Sequence, residues 1–513
     1  MPARTLTGYV FEHARWWPDK PAVIDGPSGA TLRYHELVTA VRRIATGLVT
    51  HGVSKGDVVA LCSPNGPEFI IAYYAALAAG ATITPVNPMV IGSELARQLR
   101  HSGARWMVTT EEILQQKSSQ AAAAGIRRVV VFGTFPGAIP FAQLSNHQRA
   151  RSSPPSDGDT EDLALLPYSS GTSGRPKAVL LSHGNLISSL CQTRLVQLVR
   201  PDDVLLAALP LCHIYGMQTV MNLGLHEGAT LVTMPRFDLR SALSLVQQYR
   251  VTRADVVPPI VLALARHPAV NECDLSSLRV ITCSAAPLGA ELARSCAQRL
   301  GCRVKQSYGM TELAGATHCA PDRGRDEPGL IGPPLPGVRC RVVDCATGDH
   351  LGVHQPGELL IQTPAAMRGY LNDPSATAET IDEQGWVHTG DIASRDAEDW
   401  FRVVDRRKDL IKYKGYQVSP AELEEVLLSH PAVADAAVVA SPDELAGEVP
   451  KAFVVLRSAA GAEELLQYVA QRVSPYQEIR RVEFTEEIPK SPTGKILRRV
   501  LIERDRAALE PAW

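Results

Sequence analysis

The chain has 513 residues, which is more than one compact hydrophobic core supports, so we expect two or more domains. Its 52 basic and 54 acidic side chains nearly cancel, which argues against a nucleic-acid partner or an acidic membrane surface. The ten cysteines form no C-x-x-C pair and no zinc-ligand spacing, and the chain has neither a secretory-signal layout nor an apolar membrane span. We therefore expect a soluble cytoplasmic protein with reduced thiols.

Helix and strand patterns alternate over the first 150 residues. Apolar residues at helical spacing predict a helix over Tyr34–His51, and a short apolar run predicts a strand over Asp57–Cys62. A second helix over Glu68–Ala79 and a second strand over Ala81–Val86 follow. This β-α-β order predicts an α/β fold with helices flanking a parallel sheet.

A loop rich in Gly, Ser and Thr, Tyr168–Val179, follows the polar connector Ser152–Asp162. The apolar runs Leu163–Pro167 and Val179–Leu181 flank the loop and predict strands. Glycines expose backbone N–H groups, hydroxyls add donors and Lys177 adds charge, so the loop can wrap the phosphates of a nucleotide, although such clusters are often solvated loops. The candidate phosphate-binding residues are Ser169, Ser170, Gly171, Thr172, Ser173, Gly174 and Lys177.

Two common enzyme motifs are excluded for this loop. A Walker loop needs G-x-x-x-x-G-K-[ST], but here Arg175 and Pro176 separate Gly174 from the lysine. A hydrolase elbow needs G-x-S-x-G, and the stretch 171–175 ends in Arg175. The loop is therefore neither a Walker loop nor a hydrolase elbow.

Polar turns follow later strand-like runs. Pro210–Gly216 follows the predicted strand Val204–Leu211 and contains a histidine, which by residue type alone is more often packed than functional. Cys283–Leu288 is a second such turn, at the kind of strand end where open α/β sheets bind ligands. Gln306–Glu312 offers a ring to stack on adenine, a hydroxyl to reach a phosphate and a carboxylate to hold Mg²⁺, although it could also be an ordinary strand and turn.

The character of the chain changes near residue 409. Gly385–Asp391 precedes this point, Asp405–Lys412 spans it, and a segment of about 100 residues follows, which is a typical domain size. In it we predict a helix over Pro420–Leu428 and a strand over Ala436–Ala440, and a basic Pro/Gly turn, Ile488–Ile496, lies near its end. The sequence therefore predicts a small second domain.

Taken in order, these motifs resemble those of the adenylate-forming enzymes: acyl- and aryl-CoA ligases, peptide-synthetase adenylation domains and firefly luciferase. The stretches Lys412–Val418 and 490–498 look most like 4-coumarate-CoA ligases and related aryl or medium-chain acyl-CoA ligases. The resemblance implies a large N-terminal domain of helix-flanked sheets, a hinge and a small mobile α+β domain. The implied boundaries are 1–404, 405–408 and 409–513.

The implied reaction joins a small carboxylic acid to ATP, giving an acyl-adenylate and pyrophosphate, and then transfers the acyl group to CoA with loss of AMP. ATP, Mg²⁺ and CoA would be required, and the protein would be a monomer or homodimer. Three alternatives remain open: an adenylation enzyme that loads a carrier protein, a non-catalytic nucleotide-binding protein and a luciferase-like oxygenase.

The resemblance also implies roles for individual residues. Nucleotide contacts beyond the loop would come from Gln306, Ser307, Tyr308, Thr311, Asp391, Arg406 and Lys495. Catalytic roles would fall to Lys495, Thr172, Lys177, Lys412, Gln417 and Glu312, with Mg²⁺ held by Glu312 and Thr172. The acyl site would contain His213, Tyr215, Ser284, Ala285, Ser307 and Gly309. CoA would meet Arg236, Lys414 and Gly415, and Lys408 would be the pivot between the domains.

Three positions depart from the resembling families. Ala178 stands where the family usually has glycine, and Ser284 and Ser307 stand where 4-coumarate-CoA ligases commonly have glycine. The added hydroxymethyl groups predict a shorter or more polar acyl pocket. The alternative is that both hydroxyls bond the local backbone.

Overall fold

The computed structural model describes residues 5–146, 158–169, 176–325, 327–414, 416–443, 445–491 and 494–509, with the backbone alone at residues 417 and 509. Helices and strands alternate through most of these ranges, as the sequence predicts. None of the helices within them is both long and apolar enough to cross a membrane.

The first part of the chain builds the β-α-β units expected from the sequence. Its strands are β1 (Pro21–Asp25), β2 (Thr31–Arg33), β3 (Val58–Cys62), β4 (Thr82–Val86), β5 (Trp106–Thr110), β6 (Arg128–Phe132) and β7 (Ile139–Pro140). Its helices are α1 (Leu6–Val10), α2 (Tyr34–Thr50), α3 (Pro67–Ala78), α4 (Gly92–Ser102), α5 (Glu111–Ala123) and α6 (Phe141–Leu144). The four elements predicted between residues 34 and 86 are confirmed to within one residue at each end.

The second part contains the candidate site motifs. Its strands are β8 (Leu163–Leu165), β9 (Tyr168–Ser169), β10 (Lys177–Ala178), β11 (Leu181–Ser182), β12 (Val204–Ala207), β13 (Thr230–Thr233), β14 (Arg253–Val256), β15 (Val280–Cys283), β16 (Arg303–Met310) and β17 (Gly315–Cys319). Its helices are α7 (His183–Arg194), α8 (Leu223–His226), α9 (Leu239–Tyr249), α10 (Pro258–Arg266) and α11 (Ala290–Leu300), with a π-helical stretch over Gly216–Asn222.

Three predicted strands in this part are wrong in their extent, of which Leu163–Pro167 ends at Leu165. The predicted strand Val204–Leu211 ends at Ala207, because the Asn65 side chain takes over the backbone bonds beyond it. Asn65 Nδ2 donates to Ala207 O and Leu209 O, and Asn65 Oδ1 accepts from Leu211 N. Similarly, residues 179 and 180 leave the predicted strand and pair with residues 369 and 370.

The remaining elements build the end of the large domain and the small domain. Strands β18 (Arg339–Val343), β19 (Gly357–Gln362), β20 (Val387–Arg395) and β21 (Phe401–Arg406) and helix α12 (Pro374–Thr380) come first. The small domain has strands β22 (Ile411–Tyr413), β23 (Tyr416–Val418), β24 (Val433–Asp443), β25 (Gly447–Leu456) and β26 (Arg481–Phe484) and helices α13 (Pro420–Ser429), α14 (Ala462–Ala470) and α15 (Arg498–Leu509). Predicted helix Pro420–Leu428 is confirmed, and the predicted strand at Ala436–Ala440 lies inside the longer β24.

Two large sheets, in strand orders β17-β16-β15-β14-β12-β13-β1-β2 and β11-β8-β4-β3-β5-β6-β7, form the body of the large domain. Their inner strands pair in parallel and are buried along most of their length, as expected when helices cover both faces. A four-stranded sheet, β18-β19-β20-β21, follows, and the small domain has its own mixed sheet and apolar core. The α/β fold with a large and a small domain is therefore confirmed.

Hydrogen bonds at helix ends join the two domains. Glu425, on α13, accepts a bond from Ala290 N at 3.1 Å, at the first residue of α11. Arg266, at the end of α10, donates to Leu428 O near the end of α13 at 2.8 Å. Each contact satisfies a backbone group that has no partner within its own helix. Helix α13 is thus attached to the large domain by one hydrogen bond from the first residue of α11 and one from the last residue of α10.

Candidate nucleotide and acyl site

Three candidate nucleotide residues from separate motifs meet in one cluster. Strands β20 and β21 place Asp391 opposite Arg406, and Arg406 Nε lies 3.6 Å from Asp391 Oδ1. The Tyr308 hydroxyl, on β16, donates to Asp391 Oδ2 at 2.6 Å. The sequence predicts a role for each of these residues but not the bond between Tyr308 and Asp391.

Asp391 keeps capacity for further hydrogen bonds. Burial raises its pKa, and Arg406 and the Tyr308 hydroxyl act against that rise. An ionised carboxylate offers about four acceptor positions, of which Tyr308 uses one. Further hydroxyl donors could therefore bind to Asp391 and stabilise its charge.

Lys495 reaches this cluster from the small domain. Its backbone closes a tight turn in which Ser491 N donates to Lys495 O at 2.8 Å and Lys495 N donates to Ser491 Oγ at 3.2 Å. Gly494, with φ +77°, lies against the large domain so closely that a Cβ there would be 3.1 Å from Val257 Cγ2. The turn is therefore seated on the loop between β14 and α10.

Lys495 is partly buried among charges of both signs. Burial lowers the pKa of Lys495 to about 8, and the Arg406 cation acts in the same direction, while Asp391 opposes it. A buried ammonium group whose pKa is lowered by a second cation can be stabilised by an added anion. The cluster thus suits a polyphosphate.

A second cluster contains Lys177 and Glu312. The Tyr370 hydroxyl donates to Glu312 Oε1 at 2.9 Å, and Lys177 Nζ lies 4.8 Å from the centre of the Tyr370 ring, a cation–π distance. Lys177 also pairs with Ser169 across β9 and β10, which places both at the base of the Gly/Ser/Thr loop. Tyr370 belongs to no recognisable motif, so it could not be selected from the sequence.

The donor set of these clusters fits ATP and Mg²⁺. Glu312 Oε2 has no hydrogen bond to the described residues, and a carboxylate oxygen is a preferred Mg²⁺ ligand. Buried Gln306 accepts from Leu288 N through Oε1, while its Nε2 donor lacks a partner in the described ranges. Thr311 follows directly after β16, beside Glu312. Unused donors and an excess of cations are what an anionic nucleotide requires.

Five predicted loop residues lie outside the described residues. They are Ser170, Gly171, Thr172, Ser173 and Gly174, so the metal role expected for Thr172 stays a prediction.

The acyl candidates His213 and Tyr215 stand just before the π-helical stretch, a feature frequent at functional sites. The Tyr215 hydroxyl donates to Thr282 O at 2.9 Å and lies 3.3 Å from Asp255 Oδ1. Burial raises the pKa of Asp255 to about 6. His213 Nε2 is buried with no partner in the part of the chain described, and burial lowers the pKa of His213.

Backbone contacts and backbone conformation define three other acyl candidates. Ser284 Oγ donates to Ser307 O at 2.7 Å, which is the local bond of the alternative interpretation. Ala285 has φ 73°, in the left-handed region, and is exposed. A Cβ on Gly309 would lie 2.0 Å from Gly315 O, so this position requires glycine. Ser284 is therefore a poor source of a free pocket hydroxyl.

A buried polar network supports this side of the site, and the sequence interpretation missed it. Gln218 Nε2 donates to Leu186 O and Ala314 O, and Gln218 Oε1 accepts from Asn222. The Tyr74 hydroxyl donates to Asn222 at 2.6 Å. The network joins the π-helical stretch to the turn after Glu312. Its members are spread over the chain and form no local motif.

Lys408 lies within electrostatic range of Asp391, Arg406 and Lys495, and the other remaining candidates are not brought into these clusters. Lys408, Lys412, Lys414 and Arg236 are exposed, and the described structure of Gln417 is limited to its backbone in β23. Lys414 has φ 47° and donates its N–H to Ala446 O. Gly415 lies outside the described residues. Their implied CoA, catalytic and hinge roles stay predictions.

Comparison with known proteins identifies the family. A profile described as "AMP-binding enzyme" matches residues 10–371, and one described as "AMP-binding enzyme C-terminal domain" matches residues 422–495. The chain belongs to the AMP-binding enzyme family. The 4-coumarate–CoA ligase 3 of Oryza sativa subsp. japonica is 41% identical over 521 residues, covering 99% of this chain and 93% of that relative.

Solved structures agree with this assignment. The ATP-bound crystal structure of MatB from Rhodopseudomonas palustris is 28% identical and superposes with a TM-score of 0.91 over 99% of this chain and 100% of MatB. Apo MatB, 27% identical, gives 0.78 at 99% and 100% coverage. A benzoate CoA ligase from Burkholderia xenovorans LB400, 27% identical, gives 0.88 over 97% of this chain and all of that one. The arrangement described above is thus closer to the ATP-bound than to the apo form of MatB.

Proposed function

We propose that the chain is an ATP-dependent, AMP-forming ligase that activates an aryl carboxylic acid as its adenylate and transfers the acyl group to CoA. The position of Lys495 carries the proposal. It comes from the small domain, yet it is partly buried near Asp391 and Arg406, where a cation could meet the phosphates of a nucleotide. The names of the curated and structural relatives, coumarate and benzoate CoA ligases, support an aryl substrate.

In the first step, a carboxylate oxygen attacks the α-phosphorus of ATP. The new C–O–P bond forms as the bond to the β-phosphate oxygen breaks, and pyrophosphate leaves with that electron pair. Both reactants are anions, so their approach is electrostatically opposed. Lys495 and Lys177 would offset this charge, and Tyr308, Asp391 and Arg406 would hold the nucleoside. Mg²⁺, held by Glu312 and Thr172, would neutralise phosphate charge.

In the second step, the thiolate of CoA attacks the acyl carbonyl. A C–S bond forms, the C–O bond to the phosphate breaks, and AMP leaves; the thiol proton has by then passed to a base or to solvent. We place CoA near Arg236, Lys414 and Gly415. Arg236 and Lys414 are exposed, whereas Lys495 is partly buried near Asp391 and Arg406, which supports rotation of a mobile domain, 409–513, about a hinge at 405–408 with Lys408 as the pivot.

A cytoplasmic location accompanies this proposal. Cysteines occur throughout the chain and all ten are free thiols, as in proteins kept in a reducing compartment. We expect a monomer or a homodimer, which light scattering of the purified protein would distinguish.

Pyrophosphate release, measured across benzoates, cinnamates and short- to medium-chain fatty acids, tests the proposal. We expect release with aromatic acids and, by mass spectrometry, an aryl-CoA product when CoA is added. Release without any CoA product would instead indicate a carrier-protein acceptor. No release with any aromatic acid would contradict the aryl proposal.

A further inference from the structure

Three side chains that can bind metal converge in a place where the nucleotide proposal assigns no role. Glu12 and His13 lie in the turn after α1, and His226 is the last residue of α8. Their ligand atoms all lie within 4.8 Å of one another. The segment after α1 and the end of α8 are more than 200 positions apart in sequence, so the fold, and not local spacing, creates this cluster.

His226 is oriented as a metal ligand would be. Its side chain is 0% exposed, its ring stacks on Tyr9 at 4.4 Å, and its Nδ1 lies 3.1 Å from Tyr9 O. A carbonyl can only accept, so Nδ1 carries the proton and Nε2 presents a lone pair. Nε2 is buried and has no hydrogen-bond partner among the residues described. A histidine whose second nitrogen donates to a carbonyl is the usual arrangement around bound metal ions.

His13 and Glu12 stand on the open side of that lone pair. His13 Nε2 lies 3.1 Å from Glu12 Oε1, and the His13 ring stacks on Trp16 at 4.1 Å. The ring centres of His13 and His226 are 5.3 Å apart. In tetrahedral zinc sites the ligand atoms lie about 3.3 Å from one another, given bonds of about 2.0–2.1 Å. The Glu12–His13 contact is already near this value, and the rest needs shifts of roughly 1 Å.

The local charge also suits a cation. Glu227 Oε1 lies 3.9 Å from His226 Nε2 and is bound by Arg194 Nε at 2.7 Å. Glu12 and Glu227 together thus place two carboxylates beside the two imidazoles.

We propose that Glu12, His13 and His226 form a site for a divalent transition metal, with zinc as the first candidate. Imidazole and carboxylate ligands suit Zn²⁺ and the neighbouring first-row ions. Water or Glu227 completes the coordination. The bound ion ties the segment after α1 to the end of α8, so its role is structural and does not depend on the ligase proposal.

Zn²⁺ and Co²⁺ titrations of the chelator-treated full-length protein test this site. Zn²⁺ binding, measured by calorimetry against a competing chelator, is expected to show about one site. Bound Co²⁺ should give the visible absorption of a low-symmetry, four- or five-coordinate site. Losing an outer-shell partner costs roughly 10–100-fold in metal affinity, so losing a ligand should cost at least about tenfold.

The variants are His226→Gln and Glu12→Gln, with exposed His350→Gln as the matched control. We expect the first two to lose the site, together with the rise in melting temperature that zinc gives the parent, and the control to keep both. Glu12 is partly exposed, so Glu12→Gln carries the test if His226→Gln does not fold. Unchanged binding in both variants would assign the metal to cysteine thiols and overturn the proposal, as would the absence of any site.

Discussion

The nucleotide side and the acyl side of the site use polar residues in opposite ways. On the nucleotide side, Asp391, Arg406 and Lys495 come from different strands and domains, and their charges do not balance locally. On the acyl side, the hydroxyls of Tyr215 and Ser284 donate hydrogen bonds to backbone carbonyls of the sheet. The first region presents a net positive charge, which the proposed nucleotide requires, whereas the hydroxyls of the second region fix the local backbone.

This difference determines where substitutions should act. Removing a cation that stabilises negative charge in one transition state slows that step of the reaction by a large factor. Removing a hydroxyl that already has an internal partner mainly changes stability, by about 0.5–1.5 kcal/mol for a typical hydrogen bond.

Lys495→Ala should give the largest effect on the nucleotide side. We expect adenylation, measured by pyrophosphate release, to fall by about two to three orders of magnitude, as when a preorganised electrostatic contact is removed. Thioester formation from a supplied acyl-adenylate and CoA should stay near the parent rate. Lys490→Ala, in the same turn but paired with Asp435, is the matched control. Equal loss in both half-reactions would contradict a step-specific role.

Asp391→Ala should give the second-largest effect on the nucleotide side. Charge-assisted hydrogen bonds to ribose hydroxyls are worth about 1.5–3 kcal/mol, so we expect kcat/KM for ATP to fall about 10- to 150-fold, chiefly through KM. Asp399 is exposed on the turn between β20 and β21, the strands that contain Asp391 and Arg406, so Asp399→Asn is the control. Unchanged ATP kinetics would remove Asp391 from the nucleotide site.

The lowered pKa of Lys495 predicts an alkaline limb in the rate profile. The cation is the active form, so kcat/KM for ATP, which reports on the free enzyme, should decline about tenfold per pH unit above about pH 8. Rising pH removes the proton, so the loss lies on the alkaline side. In Lys495→Arg the guanidinium stays charged, and this limb should disappear. An unchanged limb in that variant would assign it to another group.

Ser284→Ala should give the smallest effect and tests the acyl side. Its hydroxyl already donates to Ser307 O, so the ratio of kcat/KM values for plain and hydroxylated aromatic acids should change less than about threefold. A larger change, especially a loss confined to the hydroxylated acids, would show that Ser284 contacts substrate. The contrast between the two regions would then fail.

Sequence patterns predict the contributions of local motifs and miss the contacts between them. Asp391 and Arg406 each stand in a short stretch with a characteristic order of residues, so both could be selected before the structure. Tyr370, whose hydroxyl meets Glu312 58 positions away, belongs to no such stretch. Asn65 ends strand β12 through a contact 142 positions away. Neither contact could be predicted from the sequence, because each forms only when folding brings distant parts of the chain together.

The contacts between the domains have a consequence for the domain rotation that we propose. The contacts of Glu425 and Arg266 with helix ends are single hydrogen bonds, each worth about 0.5–1.5 kcal/mol net, and water can replace them when they part. The small domain has an apolar core of its own. The proposed rotation would therefore part these hydrogen bonds while that core stays closed.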